Sequence, residues 1–484
     1  MSSRSIILTT INARYAHTAL GLRWLHANLG PWRDQAVIRE FTLAQPPSEI
    51  AETLLAENPR ILGFGVYIWN VAPVTQVVQT VKSVRPDVTV VLGGPEASYE
   101  YEETELFARA DYLIQGEADV AFAELARAIL EGRRPTQKLI TPSPPDLASL
   151  ALPYHLYTEE DVARRILYVE ASRGCPFQCE FCLSSLATRV RTFPLEPFLD
   201  AIAQLAARGA RRFRFVDRTF NLDEERVETI LRFFQRHWRE DMRVHFEIMP
   251  DRLGERTLAT MAEFPPGGLH LEVGVQTFNP VVLAEISRRQ DMRKTEENLH
   301  YLRTCTQATL HADLVAGLPG ESWESFAAGF DKLVALGPQE IQVGILKRLK
   351  GTPIARHTEP HKMVFAPEPP YEILQTDLLD FFQLQRIKRF ARYFDLYYNS
   401  GNFPRSLDLL WRTGPSRFSA FMGLADALWA ATHRTHELSL TRLAQHLYDF
   451  LLAAGVDTRE TIACAVKEDF YRLPGRRDKL PFLS

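Results

Sequence analysis

The sequence predicts an α/β protein in three parts: a doubly wound parallel sheet, a partial (β/α)6 TIM-like barrel and an all-α extension. Five short apolar runs alternate with helical patterns in the first 130 residues. Six further strand-like runs, with gaps long enough for one helix each, follow a proline-rich stretch. From Pro367 onward the apolar pattern has a helical period. The predicted organisation is a first domain at 1–135, a linker at 136–162, a barrel at 163–365 and a helical domain at 366–484.

The composition and charge of the chain argue against several classes of protein. A chain of 484 residues with 46% hydrophobic and 24% charged residues is ordinary for a soluble protein of two or three domains. The net charge of −4 argues against a general nucleic-acid binder. No uncharged apolar run reaches membrane-spanning length, and the start lacks the pattern of a secretory signal. We therefore expect a cytoplasmic protein with neither a membrane nor a nucleic acid as partner.

The first domain carries its candidate ligand contacts where predicted strands end. The predicted strands are Ser5–Thr10, Ala36–Phe41, Ile61–Tyr67, Val88–Leu92 and Tyr112–Ile114; the helices are Leu20–Leu29, Pro47–Ala56, Thr75–Val84 and Ala118–Leu130. Ligands of flavodoxin-like sheets bind at the carboxyl ends of the strands, where glycine lets a bulky ligand approach the backbone. The candidate contacts are Tyr67, Gly93, Gly94, Pro95, Gly116 and Glu117. Glu117 has the alternative role of capping the next helix.

The barrel is predicted from a second series of runs. Its strands are Ile166–Ala171, Arg212–Val216, Val244–Met249, Leu269–Val275, Leu310–Val315 and Glu340–Leu346; its helices are Phe198–Ala207, Glu225–Trp238, Arg256–Glu263, Pro280–Ser287, Lys294–Cys305 and Ser322–Leu336. Chemistry in such barrels lies at the carboxyl ends of the strands.

Three cysteines follow the first barrel strand with C-x3-C-x2-C spacing: Cys175, Cys179 and Cys182. Three soft thiolates can hold a cubane iron–sulfur cluster through three of its irons. Half of a zinc site is an alternative, but structural zinc usually takes four ligands, and Cys305 and Cys464 lie far along the chain. An odd number of cysteines without a secretory signal argues against disulfides.

This motif, with an aromatic residue before its last cysteine, resembles the signature of the radical S-adenosylmethionine (SAM) enzymes. The resemblance covers the whole barrel. It implies a [4Fe–4S] cluster whose open iron binds SAM, and cleavage of SAM to a 5′-deoxyadenosyl radical. It also implies SAM contacts at other strand ends: Phe181, Asp217, Glu247, Gln276 and Gly317. Each carboxylate has a barrel-end salt bridge as its alternative role.

The first domain resembles the cobalamin-binding domain that precedes the radical domain in one large subfamily. The resemblance implies that Gly93, Gly94 and Gly116 face the corrin and its nucleotide tail. The D-x-H-x-x-G motif of many cobalamin domains is absent, and the nearest match is Tyr15-Ala-His17-Thr-Ala-Leu-Gly21. His17 as a lower axial ligand is therefore a minor alternative to a loop histidine that packs near the ligand.

Predicted helices of the last part are Tyr371–Phe394, Ser406–Trp411, Pro415–Ala431 and Leu438–Ala454. The basic stretch Arg386–Arg392 is interpreted as the solvated face of a helix whose aromatics pack inward. The family resemblance implies a cobalamin-dependent radical enzyme, with methyl transfer to an unactivated carbon as its most familiar reaction. Non-methylating oxidation, cyclisation or ring rearrangement is the alternative, and a non-catalytic cobalamin or cluster sensor is a third. The expected partners are a small-molecule or peptide substrate and a flavodoxin- or ferredoxin-like reductant.

Overall fold

The computed structural model describes residues 5–483, which divide into two compact units. The first unit is Met1–Glu247 with two later segments, Arg348–Pro353 and Pro367–Tyr371. The second comprises Ile248–Lys347, Ile354–Ala366 and Glu372–Ser484. Within residues 5–483 there is no helix whose length and apolar composition would let it cross a membrane.

The first unit begins with a six-stranded parallel sheet. Its strands are β1 (Ile6–Asn12), β2 (Ala36–Thr42), β3 (Ile61–Gly65), β4 (Thr89–Gly93), β5 (Tyr112–Ile114) and β6 (Leu139–Ile140). The helices between them are α1 (Leu20–Ala27), α2 (Pro47–Ala56), α3 (Val71–Val84), α4 (Glu105–Arg109) and α5 (Asp119–Leu130). The strand order β2-β1-β3-β4-β5-β6 is flavodoxin-like, with its switch point between β1 and β3. The predicted fold class of this domain is confirmed.

Both faces of this sheet are apolar, which explains the continuous hydrophobic runs in the sequence. Ile7 and Leu62 pack with the valines of α3 on one face. Ile6 and Leu8 pack with Phe122 of α5 on the other. Successive side chains of a strand point to opposite faces, so each strand serves both layers of helices.

Strand β6 lies in the segment predicted as a linker. Leu113 donates its backbone N–H to the carbonyl of Lys138, and Gln115 donates to the carbonyl of Ile140. Two residues are too few to show a periodic pattern, so the sequence did not reveal this strand.

A buried group of four charged side chains joins the sheet to the segment that follows it in the chain. Arg23 of α1 contacts Glu40 of β2 at 2.5 Å and Asp161 at 2.8 Å. Arg165 contacts the same two carboxylates at 2.6 and 2.8 Å. All four side chains are at most 9% exposed. Two cations and two carboxylates balance, as a buried ion group must.

The rest of the first unit starts the barrel. Its elements are α6 (Glu159–Arg164), β7 (Leu167–Val169), β8 (Ser172–Arg173), β9 (Arg191–Thr192), α7 (Leu195–Ala207), β10 (Arg212–Phe215), α8 (Glu224–Arg236) and β11 (Arg243–Ile248). Strands β7, β10 and β11 are parallel, whereas β8 and β9 form a separate antiparallel pair. The predicted first strand, Ile166–Ala171, is therefore shorter in the structure and is followed by the β8–β9 pair.

The second unit continues the barrel with three parallel strands. Its elements are α9 (Glu255–Ala262), β12 (Leu269–Gln276), α10 (Pro280–Glu285), α11 (Met292–Cys305), β13 (Thr309–Ala316), α12 (Trp323–Leu336) and β14 (Glu340–Ile345). Residues of β12 and β13 alternate between buried and half-buried along each strand. The six parallel strands predicted for the barrel are all present, and among the described residues no seventh or eighth strand joins this sheet to complete a TIM barrel. The prediction of a partial barrel is confirmed.

The last part is helical, with one small hairpin that the sequence did not reveal. The hairpin is β15 (Val364–Phe365) and β16 (Ile373–Gln375); the helices are α13 (Phe381–Phe394), α14 (Pro404–Leu410), α15 (Arg417–Thr432), α16 (Leu440–Ala453) and α17 (Arg459–Tyr471). The predicted helix Tyr371–Phe394 was wrong in its first ten residues. Asp380 caps α13 in a capping box with Gln383, so the helix begins at Phe381.

Aromatic side chains form the centre of this helical part. Phe390 and Phe394 of α13 pack edge-on against Phe330 of α12 and Phe421 of α15, with ring centroids 4.9–5.1 Å apart. Three of the four basic residues of the same helix are paired with acids outside this core: Arg386 with Asp426, Lys388 with Glu372 and Arg392 with Asp395. The fourth, Arg389, lies over the ring of Trp429. The interpretation of the stretch as an outer helix face agrees with this arrangement. Two aromatics of α13, Phe381 and Phe382, are exposed rather than packed inward.

Helix α14 has no side-chain cap of its own, and Asp469 of α17 supplies one. The buried Asp469 carboxylate accepts hydrogen bonds from the backbone N–H groups of Arg405 and Ser406 at 3.2 and 2.8 Å, and from the Ser406 hydroxyl at 2.7 Å. These first-turn donors would otherwise be buried without partners.

We expect Asp469→Ala to lower the free energy of unfolding by about 2–4 kcal/mol, because it leaves buried donors unpaired. Chemical denaturation followed by circular dichroism measures this loss. The control is Asp408→Ala, on the exposed face of α14. Equal unfolding midpoints for the two variants would contradict the capping role.

Candidate functional site

The three motif cysteines lie in a loop that β8 and β9 close at its base. Cys175 donates its backbone N–H to the carbonyl of Ala187 at 3.0 Å. Gly174, at φ +95°, passes so close to the Arg189 carbonyl that a β-carbon would clash with it. The two ends of the loop are therefore held together before any ligand binds.

The donor set of this loop fits an iron–sulfur cluster. All three thiols are free of disulfides; Cys175 and Cys179 are buried and Cys182 is half-buried. The Cys182 N–H donates to the Cys179 carbonyl at 3.0 Å, which turns the chain between these ligands. The Thr219 hydroxyl lies 3.4 Å from the Cys175 sulfur, and hydrogen bonds to ligand sulfurs tune the potential of such clusters. Phe181 is half-buried between two cluster ligands.

Asp217, a predicted SAM contact, follows β10 and is almost fully buried. Its carboxylate accepts hydrogen bonds from the Ala171 N–H at 3.0 Å and the Ser172 hydroxyl at 2.5 Å. Burial raises its pKa to about 6, although these hydrogen bonds oppose the rise. In the structure Asp217 fixes the turn that leads from β7 to the cysteine loop. Its contact with SAM stays a prediction.

Arg173, two residues before Cys175, joins the cysteine loop to the strand ends of the first sheet. Its guanidinium contacts Asp119 at 2.7 and 3.1 Å, Glu117 at 2.8 Å and Glu170 at 3.0 Å. Arg191, on the other side of the loop, pairs with the same Glu117. Burial raises the pKa of Glu170 to about 7, and Arg173 limits the rise. Glu117 therefore binds arginines rather than capping α5, which begins after Ala118.

The Arg173 guanidinium is also enclosed by aromatic rings. It lies 4.9 Å from the ring centre of Trp24 and 5.5 Å from that of Phe193. These two rings stack on each other at 4.9 Å. Trp24 belongs to α1 and Phe193 follows β9, so the enclosure again connects the first sheet with the cysteine loop.

Three glycines at the ends of β4 and β5 differ in why they must be glycine. A β-carbon on Gly94, at φ +101°, would collide with the backbone of Val66, so the fold itself requires this glycine. Gly116, at φ +83°, has open space around it. A β-carbon on Gly93 would meet its nearest atom, the Ile114 carbonyl, at an ordinary 3.8 Å. Because the fold leaves room for a β-carbon at Gly93, only a bound ligand would require glycine at this position.

Segments from much later in the chain hold the loop after Gly94. The buried Glu96 carboxylate accepts a hydrogen bond from the Tyr371 hydroxyl at 2.6 Å and pairs with Lys350 at 3.1 Å. Glu100 pairs with Arg348 at 2.9 Å. Pro95, between Gly94 and Glu96, is half-buried.

The switch point of the sheet is fixed by Asn70. Its buried side-chain amide donates to the carbonyls of Ile11 and Gly65, at the ends of β1 and β3, and accepts from the Tyr67 N–H. The Tyr67 ring stacks on Trp69 at 4.5 Å. Burial raises the pKa of Tyr67.

His17 has a protein partner at this edge of the sheet. Its Nδ1 lies 2.7 Å from the Tyr168 hydroxyl of β7. Burial lowers the pKa of His17, which favours neutral imidazole. The contact suits a packing residue, and an axial role for His17 stays a minor hypothesis.

Two predicted SAM contacts, Gln276 and Gly317, lie in the second unit. Gln276 ends β12 with φ +72°, a strained conformation for a non-glycine residue and one that clusters at functional sites. Its amide nitrogen occupies the space that a β-carbon on Gly274 would need. Gly317, at φ +86°, ends β13 against Ile373, where a side chain would not fit. Glu247, in the first unit, lies 3.4 Å from Arg218.

Glu321, at the end of the loop that begins with Gly317, is a buried acid that sequence reasoning did not single out. One carboxylate oxygen accepts hydrogen bonds from the hydroxyls of Thr277 and Ser325, at 2.6 and 3.1 Å. The other is buried and has no hydrogen-bond partner among residues 5–483. Burial raises the pKa of Glu321 from 4.5 to about 7.

Family models match three parts of the chain. The B12 binding domain matches residues 6–126, and the Radical SAM superfamily matches residues 169–333. Residues 169–333 therefore match a radical SAM domain. A third family, a protein family of unknown function designated DUF4080, matches residues 359–483. The matches confirm the predicted family and enzyme class, with a cobalamin-binding domain before the domain that holds the cluster and SAM.

Relatives of this radical SAM chain include methyltransferases. An uncharacterized methyltransferase of Pyrococcus horikoshii, PH0819, is 26% identical over 64% of the chain and 71% of its own length. TokK of Streptomyces tokunonensis, a cobalamin-dependent radical SAM methyltransferase, is 25% identical over 63% of the chain but 49% of its own length. The solved structure of TsrM from Kitasatospora setae, with tryptophan and a SAM analogue bound, matches 78% of this chain and 80% of its own with a TM-score of 0.61 at 18% identity. That likeness establishes a shared fold.

Sequence reasoning missed the residues that connect the cysteine loop to the first sheet. Arg173, Asp119 and Arg191 were not recognised, since their partners are more than 50 residues away. The available signal was an arginine directly before the Gly174-Cys175 pair. Asn70 was missed as well, because its partners are backbone groups at the ends of two different strands.

We expect alanine at Cys175, Cys179 or Cys182 to abolish assembly of the [4Fe–4S] cluster, because three thiolates are its protein ligands. Iron and sulfide analysis after anaerobic reconstitution, with electron paramagnetic resonance, measures assembly. Cys305→Ala is the control, since Cys305 is exposed at the end of α11. Loss of the cluster in the control would contradict the assignment.

Gly93→Val is expected to lower cobalamin occupancy without lowering the stability of the cobalamin-free protein, because the fold has room for the β-carbon. Corrin absorbance after gel filtration measures occupancy, and thermal unfolding measures stability. Val91→Ala, a small change within β4, is the comparison for strand perturbation. Full occupancy in Gly93→Val would show that the ligand does not approach this strand end.

Glu321 predicts a defined pH dependence of stability. Because burial raises the pKa of Glu321, its contribution to the free energy of unfolding is fully present below pH 4.5 and is lost as the pH rises through about 7. Glu321→Gln stays neutral, so we expect it to be more stable than the wild type at pH 8 by on the order of 2 kcal/mol, and not at pH 5. Urea unfolding at both pH values measures this. The exposed Glu324→Gln on α12 is the control, and identical pH profiles for Glu321→Gln and wild type would refute the prediction.

Proposed function

We propose that this chain is a cobalamin-dependent radical SAM methyltransferase acting on an unactivated carbon of a small molecule. When bound, the cluster supplies the electron that cleaves SAM to methionine and a 5′-deoxyadenosyl radical, and cobalamin carries the methyl group. The borders proposed for the domains are residues 135, 162 and 365. The proposal extends to the site residues assigned above from the family resemblance.

The protein's own part is to hold and orient these groups. Cys175, Cys179 and Cys182 would hold the cluster, and Thr219 donates to or accepts from the Cys175 thiol. The strand ends at Gly93 and Gly116 would receive the corrin. Buried positions around the cysteine loop keep water from the reacting groups, which radical chemistry requires.

One observation carries the proposal. The residues that flank the cysteine loop, Arg173 and Arg191, bind Glu117 and Asp119 at the strand ends of the B12 binding domain. This network brings the two cofactor-binding elements of one compact unit into direct contact. A methyl carrier and a radical source must both reach the same substrate. A short and fixed connection between their sites therefore favours methyl transfer to that substrate over two independent activities.

Two partners follow from this chemistry. The cluster needs an external one-electron reductant, and we propose a flavodoxin- or ferredoxin-like protein. The methyl acceptor is proposed to be a small molecule, by analogy with TsrM, whose structure contains tryptophan.

The mass of the product tests the proposed reaction. Reconstituted protein with cobalamin, SAM, a chemical reductant and candidate substrates should add one CH2 to the substrate, and form S-adenosylhomocysteine and 5′-deoxyadenosine in equal amounts. A turned-over substrate that has lost hydrogen or rearranged, without gaining CH2, would replace methylation by the non-methylating alternative. No cleavage of SAM by cluster-loaded protein with any substrate would support a sensor.

Arg173→Lys tests whether the connection between the sites matters. Lysine keeps the positive charge but cannot make the bidentate contact with Asp119. We expect cluster and cobalamin contents to stay near wild type while 5′-deoxyadenosine formed per methylated product rises severalfold. Arg164→Lys, an exposed arginine of α6, is the control. An unchanged ratio in Arg173→Lys would remove the network from the proposed mechanism.

A further inference from the structure

Three side chains of metal-binding types meet in the second unit: Glu285, His357 and His361. Glu285 is the last residue of α10, His357 ends a 3-10 turn that begins at Pro353, and His361 follows four residues later. One ligand atom of each lies within 4.8 Å of the other two. We refer to these three residues as the His–Glu cluster.

The distances within the His–Glu cluster suit a tetrahedral ion. Glu285 Oε1 lies 3.2 Å from His357 Nδ1 and 3.3 Å from His361 Nε2. Zinc bound to nitrogen and oxygen at about 2.0–2.1 Å places neighbouring ligand atoms ~3.3–3.4 Å apart. The two contacts therefore already have the length of tetrahedral edges.

The environment of His361 also matches that of a metal ligand. Its Nδ1 is buried and has no hydrogen-bond partner within the described part of the chain. The Asp377 carboxylate lies on this side of the ring, with its Oδ1 3.8 Å from Nδ1. The Asp377 N–H donates to the His361 carbonyl at 2.8 Å, which keeps these two residues together. A carboxylate beside the second nitrogen commonly orients a metal-binding histidine.

His357 turns its Nδ1 toward Glu285, and its Nε2 lies 3.4 Å from the Arg356 Nε–H. The contact with Arg356 is long, so it constrains the ring only weakly.

A second group of metal-binding side chains is less suited to hold an ion. It comprises His270, His311 and Glu340. His311 contacts Asp313 at 3.1 Å and Glu340 at 3.4 Å. Burial lowers the pKa of His311, but the hydrogen bond and charge of Asp313 outweigh it and raise the pKa overall. Both ring nitrogens of His311 thus already face carboxylates, Nε2 that of Asp313 and Nδ1 that of Glu340, and we interpret these residues as an ion-pair cluster.

We propose that Glu285, His357 and His361 bind a zinc ion, with Asp377 orienting His361. Two histidines and one glutamate leave a fourth position for water or an incoming ligand, which is the pattern of open zinc sites. The site borders the loop from Gly317 to Glu321, because a β-carbon on Gly320 would lie 3.6 Å from His361 Cε1. The proposal does not depend on methyl transfer.

The test uses the 484-residue chain with its iron–sulfur cluster reconstituted, so that the motif cysteines are occupied. After incubation with zinc chloride and removal of excess metal, elemental analysis measures zinc and iron together. We expect about one zinc per chain, and X-ray absorption at the zinc edge should show nitrogen or oxygen neighbours at about 2.0–2.1 Å with imidazole backscattering. No retained zinc, or sulfur neighbours at about 2.3 Å, would overturn the proposal.

Substitutions of the proposed zinc ligands test where the ion binds. His361→Gln and Glu285→Gln should lose the zinc but keep the iron, and Asp377→Asn should weaken zinc binding about tenfold. The matched control is His300→Gln, an exposed histidine of α11, which should retain both metals. Zinc content unchanged in His361→Gln would refute the site even if the wild type binds one ion. The spectroscopic result on wild-type protein decides the proposal independently of whether any variant folds.

Discussion

The contact of Arg173 with three carboxylates is the interaction on which the arrangement of the first unit depends. Glu117 lies in the turn between β5 and α5 of the B12 binding domain, Asp119 is the first residue of α5, and Glu170 directly follows β7. With Arg191 the group holds two cations and three carboxylates. Buried charge must be compensated, and the pKa of about 7 at Glu170 lets a proton neutralise the excess near neutral pH. Separating the two elements would leave these groups unpaired in an apolar setting, so the cysteine loop cannot shift independently of the sheet.

The elements of the fold could be predicted because each has a local signal. The runs of β1, β3 and β4 are apolar on both faces, and the cysteine spacing is contained in eight residues. Strand β6 and the β8–β9 pair escaped prediction because two-residue strands carry no period. The helix α13 was started too early because the extended segment before it is also apolar, and only the cap at Asp380 marks the true start.

The site was less predictable because its roles depend on distant partners. Asp217 could be identified as a strand-end carboxylate, but its hydrogen bonds to Ala171 and Ser172 could not. Gly93 and Gly94 are equivalent in sequence, yet only Gly94 is confined by the backbone of Val66. The same holds for Glu321, whose burial depends on residues of two other elements. Buried acids with raised pKa at strand ends thus occur in both units, and none could be distinguished from a surface carboxylate by sequence.

The ion pairs of Glu96 and Glu100 with Lys350 and Arg348 have a consequence for synthesis of the chain. The amino-terminal sheet can form early, but the loop after Gly94 stays incomplete until Tyr371 has been made. At about 5–20 residues per second, this delay on the ribosome is ~14–55 s. The loop after Gly94 therefore acquires these contacts only after the strands of the barrel have been synthesised.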